Sequence, residues 1–230
     1  MATLEGPWQG VEGPTQSCYA ELDSFCQPIC TGTGDVVMAC IRIEAENREI
    51  TDVQEMQAFL GEYGISFEQW DVTGRISEDA TNEEILAAYE PEIQRLKDSG
   101  GFVTADVISV TADTPGLDEM LAKFAVEHTH SEDEVRFTVS GSGLFHIHPE
   151  NGPTFAIQVE SGDLISVPRD TRHWFDLCGT RAIRCIRLFE DISGWTPHYV
   201  DEPTNEQFSP LCMGPEYLPP SEDSDSVVQV

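Results

Sequence analysis

Apolar residues recur at helical spacing in two segments of the first half of the chain. The first segment begins behind Asp52, a residue type that caps helix N-termini, and ends at Gly61 or Gly64. The second begins at residues 81–84, whose Thr-x-x-Glu pattern is a capping box. Pro91 lies inside this second segment and is expected to kink or split the helix. The pattern therefore predicts helices in the N-terminal half.

The period of the apolar positions changes to two after residue 101. Residues 103–110 alternate as a half-buried strand does, and residues 117–124 suit a short helix. Further short β-rich segments, separated by turn residues, span 124–130, 134–140, 143–148, 154–159, 164–167, 173–177 and 182–189. Many short strands with turn signals predict a sandwich or a small barrel. We therefore expect a mainly β fold with N-terminal helices.

Charge narrows the choice of partners. The 230 residues contain 12 Lys+Arg and 42 Asp+Glu, a formal net charge of −30. Nucleic acid and anionic membranes attract basic surfaces, so neither is an expected partner. The first residues lack the basic and apolar regions of a signal peptide, and no long apolar run predicts a membrane span. We therefore expect a cytoplasmic protein.

The two ends differ in composition from the centre. Residues 1–37 and 201–230 contain acids but no Lys or Arg. We interpret residues 1–37 as a loose leader, either disordered or an extension of the gene prediction with Met38 as the true start. Residues 38–200 are the expected folded domain. Residues 201–230 are rich in Pro and acids and are expected to form an extended tail.

A set of histidines and one glutamate has the spacing of a metal site. His128 and His130 lie at the end of a predicted strand, where residues i and i+2 face the same side. Glu134 begins the next strand and can reach the same centre. His173 follows a similar turn and could supply a fourth ligand. Arg136 shares a strand face with Glu134, where it could stabilise an anionic substrate or act as a structural ion-pair partner.

A second His-x-His pair lies at a predicted hairpin end. His146 and His148 have no carboxylate following at the spacing of the first pair. We expect both side chains to be exposed, and we do not favour a second metal site.

The spacing of these residues resembles the two metal motifs of cupins. The first is His128-x-His130-x3-Glu134-x6-Gly141, and the second is Gly162-x5-Pro168-x4-His173. Three positions depart from the cupin pattern, namely Ala122, Asp170 and Leu177. All three are turn positions and not ligands. Asp170 replaces a glycine, and Asp tolerates a left-handed backbone better than most residues.

Longer segments resemble the acireductone dioxygenase family. They include Glu127-His-Thr-His-Ser-Glu-Asp-Glu-Val-Arg136-Phe137, Gly141-Ser-Gly143-Leu-Phe145, Asp163-Leu-Ile-Ser-Val-Pro168, His173-Trp-Phe175, Ile186-Arg-Leu-Phe189 and Gly194-Trp195, with upstream matches at 67–70, 88–89 and 106–109. The resemblance covers roughly residues 40–200. It does not extend to the leader or the tail.

The resemblance implies a cupin barrel that binds one Fe(II) or Ni(II) ion per chain and acts as a monomer. The implied substrates are O2 and the acireductone 1,2-dihydroxy-5-(methylthio)pent-1-en-3-one of methionine salvage. The iron form of the family yields formate and 4-methylthio-2-oxobutanoate. The nickel form yields formate, carbon monoxide and 3-(methylthio)propanoate.

The resemblance also implies roles for single residues. His128, His130, Glu134 and His173 would bind the metal, and Arg136 would stabilise the substrate dianion. Glu127 would aid metal incorporation, and Asp133 would transmit local conformational change.

Two alternatives stay open at this point. One is another cupin enzyme that cleaves a different enediol or diketone. The other is a metal-dependent cupin that only binds a ligand. Arg136 discriminates against the second alternative, because a binding module has no need of a cation two residues after its carboxylate ligand.

Overall fold

Helices alternate with the first strands of this protein and flank its β-structure. The structure, a computed structural model, describes residues 39–177, 179–191 and 196–208. Its helices are α1 (Val53–Gly61), α2 (Asn82–Ala88), α3 (Glu90–Gly100) and α4 (Leu117–Phe124), with 3-10 turns at Glu44–Glu46 and Asn205–Gln207. Across these described ranges, every helix is too short or too polar to cross a bilayer.

The helix boundaries follow the capping residues found in the sequence. The carboxylate of Asp52 accepts hydrogen bonds from the backbone N–H groups of Gln54 and Glu55 and so begins α1. Thr81 and Glu84 form the reciprocal bonds of a capping box at the start of α2. Pro91 lies in the first turn of α3, where a missing N–H costs nothing, and so the predicted long helix is split into α2 and α3.

The strands of the described chain are short and pair in antiparallel fashion. They are β1 (Cys40–Ile43), β2 (Arg48–Ile50), β3 (Ser66–Gln69), β4 (Thr104–Val110), β5 (His128–Thr129), β6 (Glu134–Gly141), β7 (Gly143–His148), β8 (Phe155–Val159), β9 (Asp163–Val167), β10 (Arg172–Leu177), β11 (Ile183–Phe189) and β12 (His198–Tyr199). One sheet has the order β12-β5-β10-β7-β8-β1-β2, and the other has the order β3-β9-β6-β11-β4. The predicted mainly β fold is confirmed.

Two apolar clusters hold these layers together. The larger cluster lies between the two sheets and includes Ile41, Phe145 and Phe175. The second packs α2 and α3 against the outer face of the five-stranded sheet, with Tyr89 and Phe137 in contact at 4.8 Å between ring centroids. Burying apolar side chains on both faces makes this sheet the centre of the protein.

Strand β6 separates polar from apolar residues by its alternation. Val135, Phe137 and Val139 belong to the second apolar cluster, which lies under α2 and α3 and is called below the cluster under the helices. The intervening residues Glu134 and Arg136 are buried on the opposite face, between the two sheets. This period of two, predicted from the sequence, brings a carboxylate and a guanidinium into the interior of the barrel.

Some elements differ from the expected ones. The strand predicted over 124–130 is limited to the two residues of β5, because α4 extends to Phe124. Strands β1, β2, β3 and β12 were not predicted. Each has two to four residues, which is too short for a period to be recognised.

The first residues of the predicted tail contact the barrel. The ring of Phe208 lies 5.6 Å from that of Trp174, and Arg172 donates a hydrogen bond to the carbonyl of Glu202. The leader at 1–37 and the tail beyond residue 208 lie outside the described residues. The division into leader, domain and tail therefore stays a prediction.

Gly141, the last residue of the first metal motif, should be irreplaceable for steric reasons. Its φ is +80°, and a Cβ there would lie 2.1 Å from the carbonyl oxygen of Ala182. Gly101 has a similar φ of +77° but open space around it. We expect Gly141→Ala to lower the free energy of unfolding by at least about 3 kcal/mol, and Gly101→Ala by about 1 kcal/mol. Urea unfolding checks both values, and equal losses would contradict the steric explanation.

Candidate metal centre

Four side chains with metal-ligating atoms meet between the sheets. His128 lies on β5, Glu134 on β6 and His173 on β10, while His130 directly follows β5. His128 and His173 are directly opposite each other in paired strands. The ligating atoms of the three histidines all lie within 4.8 Å of one another. The structure thus brings together all four residues that the sequence singled out.

Backbone carbonyl groups fix the orientation of the three histidine rings. The Nδ1 atom of His128 lies 2.6 Å from the carbonyl oxygen of Val126. The corresponding distances are 3.0 Å from His130 to Thr196 and 2.8 Å from His173 to Thr171. A carbonyl oxygen only accepts hydrogen bonds, so each Nδ1 must donate its hydrogen. In a neutral ring, Nε2 then carries the lone pair that a metal requires.

The distances around Glu134 fit a metal ion. Its Oε2 atom lies 3.1 Å from Nε2 of His130 and 3.0 Å from Nε2 of His173. Ligand atoms at right angles, each about 2.1 Å from an ion, are about 3.0 Å apart. Lone pairs that converge at this distance repel one another unless a cation or a proton lies between them. The four residues therefore fit one divalent ion of intermediate softness.

Burial keeps His128 in the neutral form and the contacts of Glu134 keep that carboxylate ionised. Burial, together with the neighbouring His173 and His130, lowers the pKa of His128 to about 4. For Glu134, burial alone would raise the pKa, but the Arg136 charge and the His130 and His173 contacts hold that pKa well below its usual range. At neutral pH the cluster therefore offers a neutral imidazole at His128 and an ionised carboxylate at Glu134.

Arg136 lies beside the carboxylate of Glu134. Its Nε donates to Oε1 of Glu134 at 2.5 Å, on the other oxygen from the one that faces the histidines. Its guanidinium lies 5.5 Å from the ring centroid of Phe145 and 5.1 Å from that of Phe175. The permanently charged guanidinium of Arg136 thus packs against two aromatic rings. This position is compatible with both predicted roles, the ion-pair partner and the stabiliser of an anion.

Glu127 lies outside the cluster of donor atoms. As the neighbour of His128 it points to the opposite face of the sheet, where it is fully buried. The Oε1 atom of Glu127 lies 2.7 Å from Nδ1 of His148 and 2.8 Å from Nε of Arg172. Oε2 accepts bonds from the backbone N–H and the hydroxyl of Thr204. Burial alone would raise its pKa, but these partners lower it overall.

Asp133 joins the turns of the two metal motifs. Its Oδ1 accepts hydrogen bonds from the backbone N–H and Nε of Arg169, at 3.0 Å and 3.3 Å. The backbone N–H of Asp170 donates to the carbonyl of His130 at 2.9 Å. Asp170 has a φ of +62°, the left-handed conformation expected where cupins have glycine. Asp133 thus contacts the turn that precedes His173. Among the described contacts, none joins its side chain to that of a candidate metal ligand.

The expectation that His146 and His148 are exposed was wrong. His146 is buried and stacks on Trp174, with 4.7 Å between ring centroids and 6° between planes. His148 is partly buried against Glu127. The sequence places both histidines at a hairpin end, where exposure is expected. The tail segment contacts this face of the sheet and covers them.

Other contributors to the site escaped the sequence analysis. Arg172 directly precedes His173 just as Glu127 precedes His128, so the strand period could have indicated that the two meet on the outer face. No sequence signal marked the carbonyl of Thr196 or the side chain of Thr204. Both lie beyond the recognisable motifs.

Two facing antiparallel sheets with three histidines and a glutamate between them define a cupin able to hold one metal ion. The sequence profile of the ARD/ARD' family matches residues 41–197. The chain belongs to this family, that of the acireductone dioxygenases.

Curated relatives agree with the family match. An acireductone dioxygenase from Stutzerimonas stutzeri is 44% identical over 170 residues, 74% of this chain and 93% of the relative. One from Marinobacter nauticus is 48% identical over 153 residues, 66% of this chain and 82% of the relative. A solved acireductone dioxygenase from Bacillus anthracis, with a cadmium ion in its active centre, superimposes with a TM-score of 0.67 at 39% identity, covering 71% of this chain and 99% of that one.

Loss of one of the four candidate donors should abolish metal binding. We expect His128→Ala to lower the nickel content after loading and dialysis to below a tenth of an ion per chain, because loss of a ligand removes much of the affinity. His198→Ala removes an exposed histidine from β12 and should leave the content unchanged. Elemental analysis measures both variants. Full occupancy in the His128 variant would show that the metal binds elsewhere.

Proposed function

We propose that this chain is a metal-dependent dioxygenase that cleaves the acireductone 1,2-dihydroxy-5-(methylthio)pent-1-en-3-one with O2 in methionine salvage. His128, His130, Glu134 and His173 bind one Fe(II) or Ni(II) ion per chain. The clustering of the three buried histidines, with the Glu134 carboxylate against two of them and Arg136 beside it, carries the proposal. Membership of the acireductone dioxygenase family supports it.

The charges of the centre favour a dianionic substrate. A divalent ion, the Glu134 carboxylate and the Arg136 guanidinium sum to two positive charges. An acireductone that has lost both enediol protons carries two negative charges. The surrounding chain is acidic, so these charges are the local source of attraction for the substrate.

The surrounding residues hold the donors in place and exclude water. The four donors are each at most 2% exposed, so electrostatic attraction at the centre is stronger than in bulk water. The rings of Phe145 and Phe175 lie against the guanidinium of Arg136, at 5.5 Å and 5.1 Å from its carbon. Because the carbonyl bonds fix the imidazoles in advance, little reorganisation is needed when the substrate binds.

The bound ion supplies Lewis-acid charge stabilisation and a template that holds a chelating enediol for reaction with O2. His128, His130, Glu134 and His173 would hold the ion and leave it open to a chelating substrate. The same donors suit iron and nickel, so the choice of ion decides the products. We propose formate and 4-methylthio-2-oxobutanoate for iron, and formate, carbon monoxide and 3-(methylthio)propanoate for nickel.

The proposal includes a monomeric enzyme of the cytoplasm whose partners are the acireductone and O2. The formal net charge of −30 supports a monomer, because copies of the chain repel one another.

Turnover with defined metals tests the proposal. The apoprotein, loaded anaerobically with Fe(II) or Ni(II), should consume acireductone when O2 is admitted. Carbon monoxide should be released by the nickel form and not by the iron form. No substrate loss with either metal, at full metal occupancy, would reject the dioxygenase and favour a cupin that only binds a ligand.

Replacing Arg136 should separate substrate stabilisation from metal binding. We expect Arg136→Gln to lower kcat/KM by about 10² to 10³, because a charge facing the substrate anion is lost. Metal content, measured on the same samples, should stay near one ion per chain. Arg95→Gln, which removes an exposed ion pair with Glu68, should change neither quantity. If Arg136→Gln keeps full activity, the arginine is only an ion-pair partner.

A further inference from the structure

The chain segment after the barrel runs along the segment that contains His128 and His130. We call residues 196–208 the C-terminal strap. The carbonyl of Thr196 accepts from His130, and β12 pairs with β5 so that Tyr199 lies opposite His128. The backbone N–H of Val200 then donates to the carbonyl of Glu127 at 3.3 Å. The strap therefore forms one side of the metal-binding strand.

Thr204 is the point at which the strap is anchored. Its backbone N–H lies 2.6 Å, and its hydroxyl 3.0 Å, from Oε2 of Glu127. The backbone N–H of Glu127 in turn donates to the side chain of Asn205 at 3.2 Å. Hydrogen bonds to a buried carboxylate are stronger than those between neutral groups. Thr204 is thus held by a buried charge and not by a surface contact.

This anchor is directly connected to two metal-binding positions. Glu127 precedes His128 in the chain, and its other oxygen contacts Arg172, which precedes His173. The strand β5 itself has only two residues, and its single recorded pair with β10 joins His128 to His173. So short a strand depends on its neighbours for its position. The strap on one side and Glu127 on the outer face provide that support.

We propose that Thr204 is a positioning residue that retains the metal ion. It does so by fixing Glu127 and with it the backbone of His128. Opening of the strap at Thr204 frees β5 on its outer edge, and the donors His128 and His130 then lose their fixed spacing. The inference rests on the proposed metal centre, which must bind an ion for retention to be measured.

The rate of metal loss tests this proposal. The full-length, nickel-loaded protein is mixed with a large excess of a chromogenic chelator, and the transfer of nickel is followed by absorbance. We expect Thr204→Val to release nickel about tenfold faster than the wild type, because one hydrogen bond to a buried charge is lost. Thr204→Ser keeps the hydroxyl and should release nickel at nearly the wild-type rate.

A matched variant separates retention from general stability. Ile85→Val removes one methyl group from the cluster under the helices, far from the strap. It should lower the urea midpoint while leaving the rate of nickel loss unchanged. Equal acceleration in Thr204→Val and Ile85→Val would mean that nickel loss only follows stability, and it would overturn the proposal.

A double-mutant cycle identifies the partner of the hydroxyl. In Glu127→Gln the carboxylate charge is absent, so adding Thr204→Val should accelerate nickel loss by clearly less than tenfold. If the two substitutions accelerate nickel loss independently, so that their effects multiply, the hydroxyl does not act through Glu127. An unchanged rate in Thr204→Val alone would also overturn the inference. If the wild type binds no nickel, the metal centre fails first, and the inference fails with it.

Discussion

The whole site depends on three hydrogen bonds from histidine Nδ1 atoms to backbone carbonyls. The carbonyls of Val126, Thr171 and Thr196 each fix one ring, and each belongs to a different part of the chain. Without them, the rings could rotate and the tautomers would not be defined. With them, the Nε2 atoms of His130 and His173 face the carboxylate of Glu134, and the ligating atom of His128 lies within 4.8 Å of those of the other two histidines. A cation is the simplest partner for that arrangement.

The architecture supplies what these bonds require. Carbonyls can orient the rings only if strands and turns hold them in register, and the antiparallel pairs of the seven-stranded sheet do so. The five-stranded sheet contributes Glu134 and Arg136 on its inner face while its outer face is sealed by helices. A charged pair can therefore be buried without exposing the core. The outer residues Glu127 and Arg172 add a second layer of contacts behind the donors.

Much of this arrangement could be predicted from the sequence. The period of two on β6 placed Glu134 and Arg136 on one face, and the spacing around His128 indicated its partners. The split at Pro91 and the left-handed Asp170 follow from backbone chemistry. These features are local, so a few neighbouring residues determine them.

Other features were out of reach because they depend on distant contacts. The burial of His146 results from stacking on Trp174 and cover from the tail, not from its own neighbours in sequence. The contact of Thr204 with Glu127 joins residues 77 positions apart. Short strands such as β12 form only because a partner is already present. No periodicity in a single sequence reports such contacts.

The central claim is that three imidazole nitrogens and the Glu134 carboxylate bind one ion. X-ray absorption at the nickel edge of the loaded protein tests it most directly, since imidazole rings give a characteristic outer-shell scattering. The account predicts three imidazoles in a six-coordinate shell completed by oxygen. One imidazole or none, or sulfur in the shell, would contradict it.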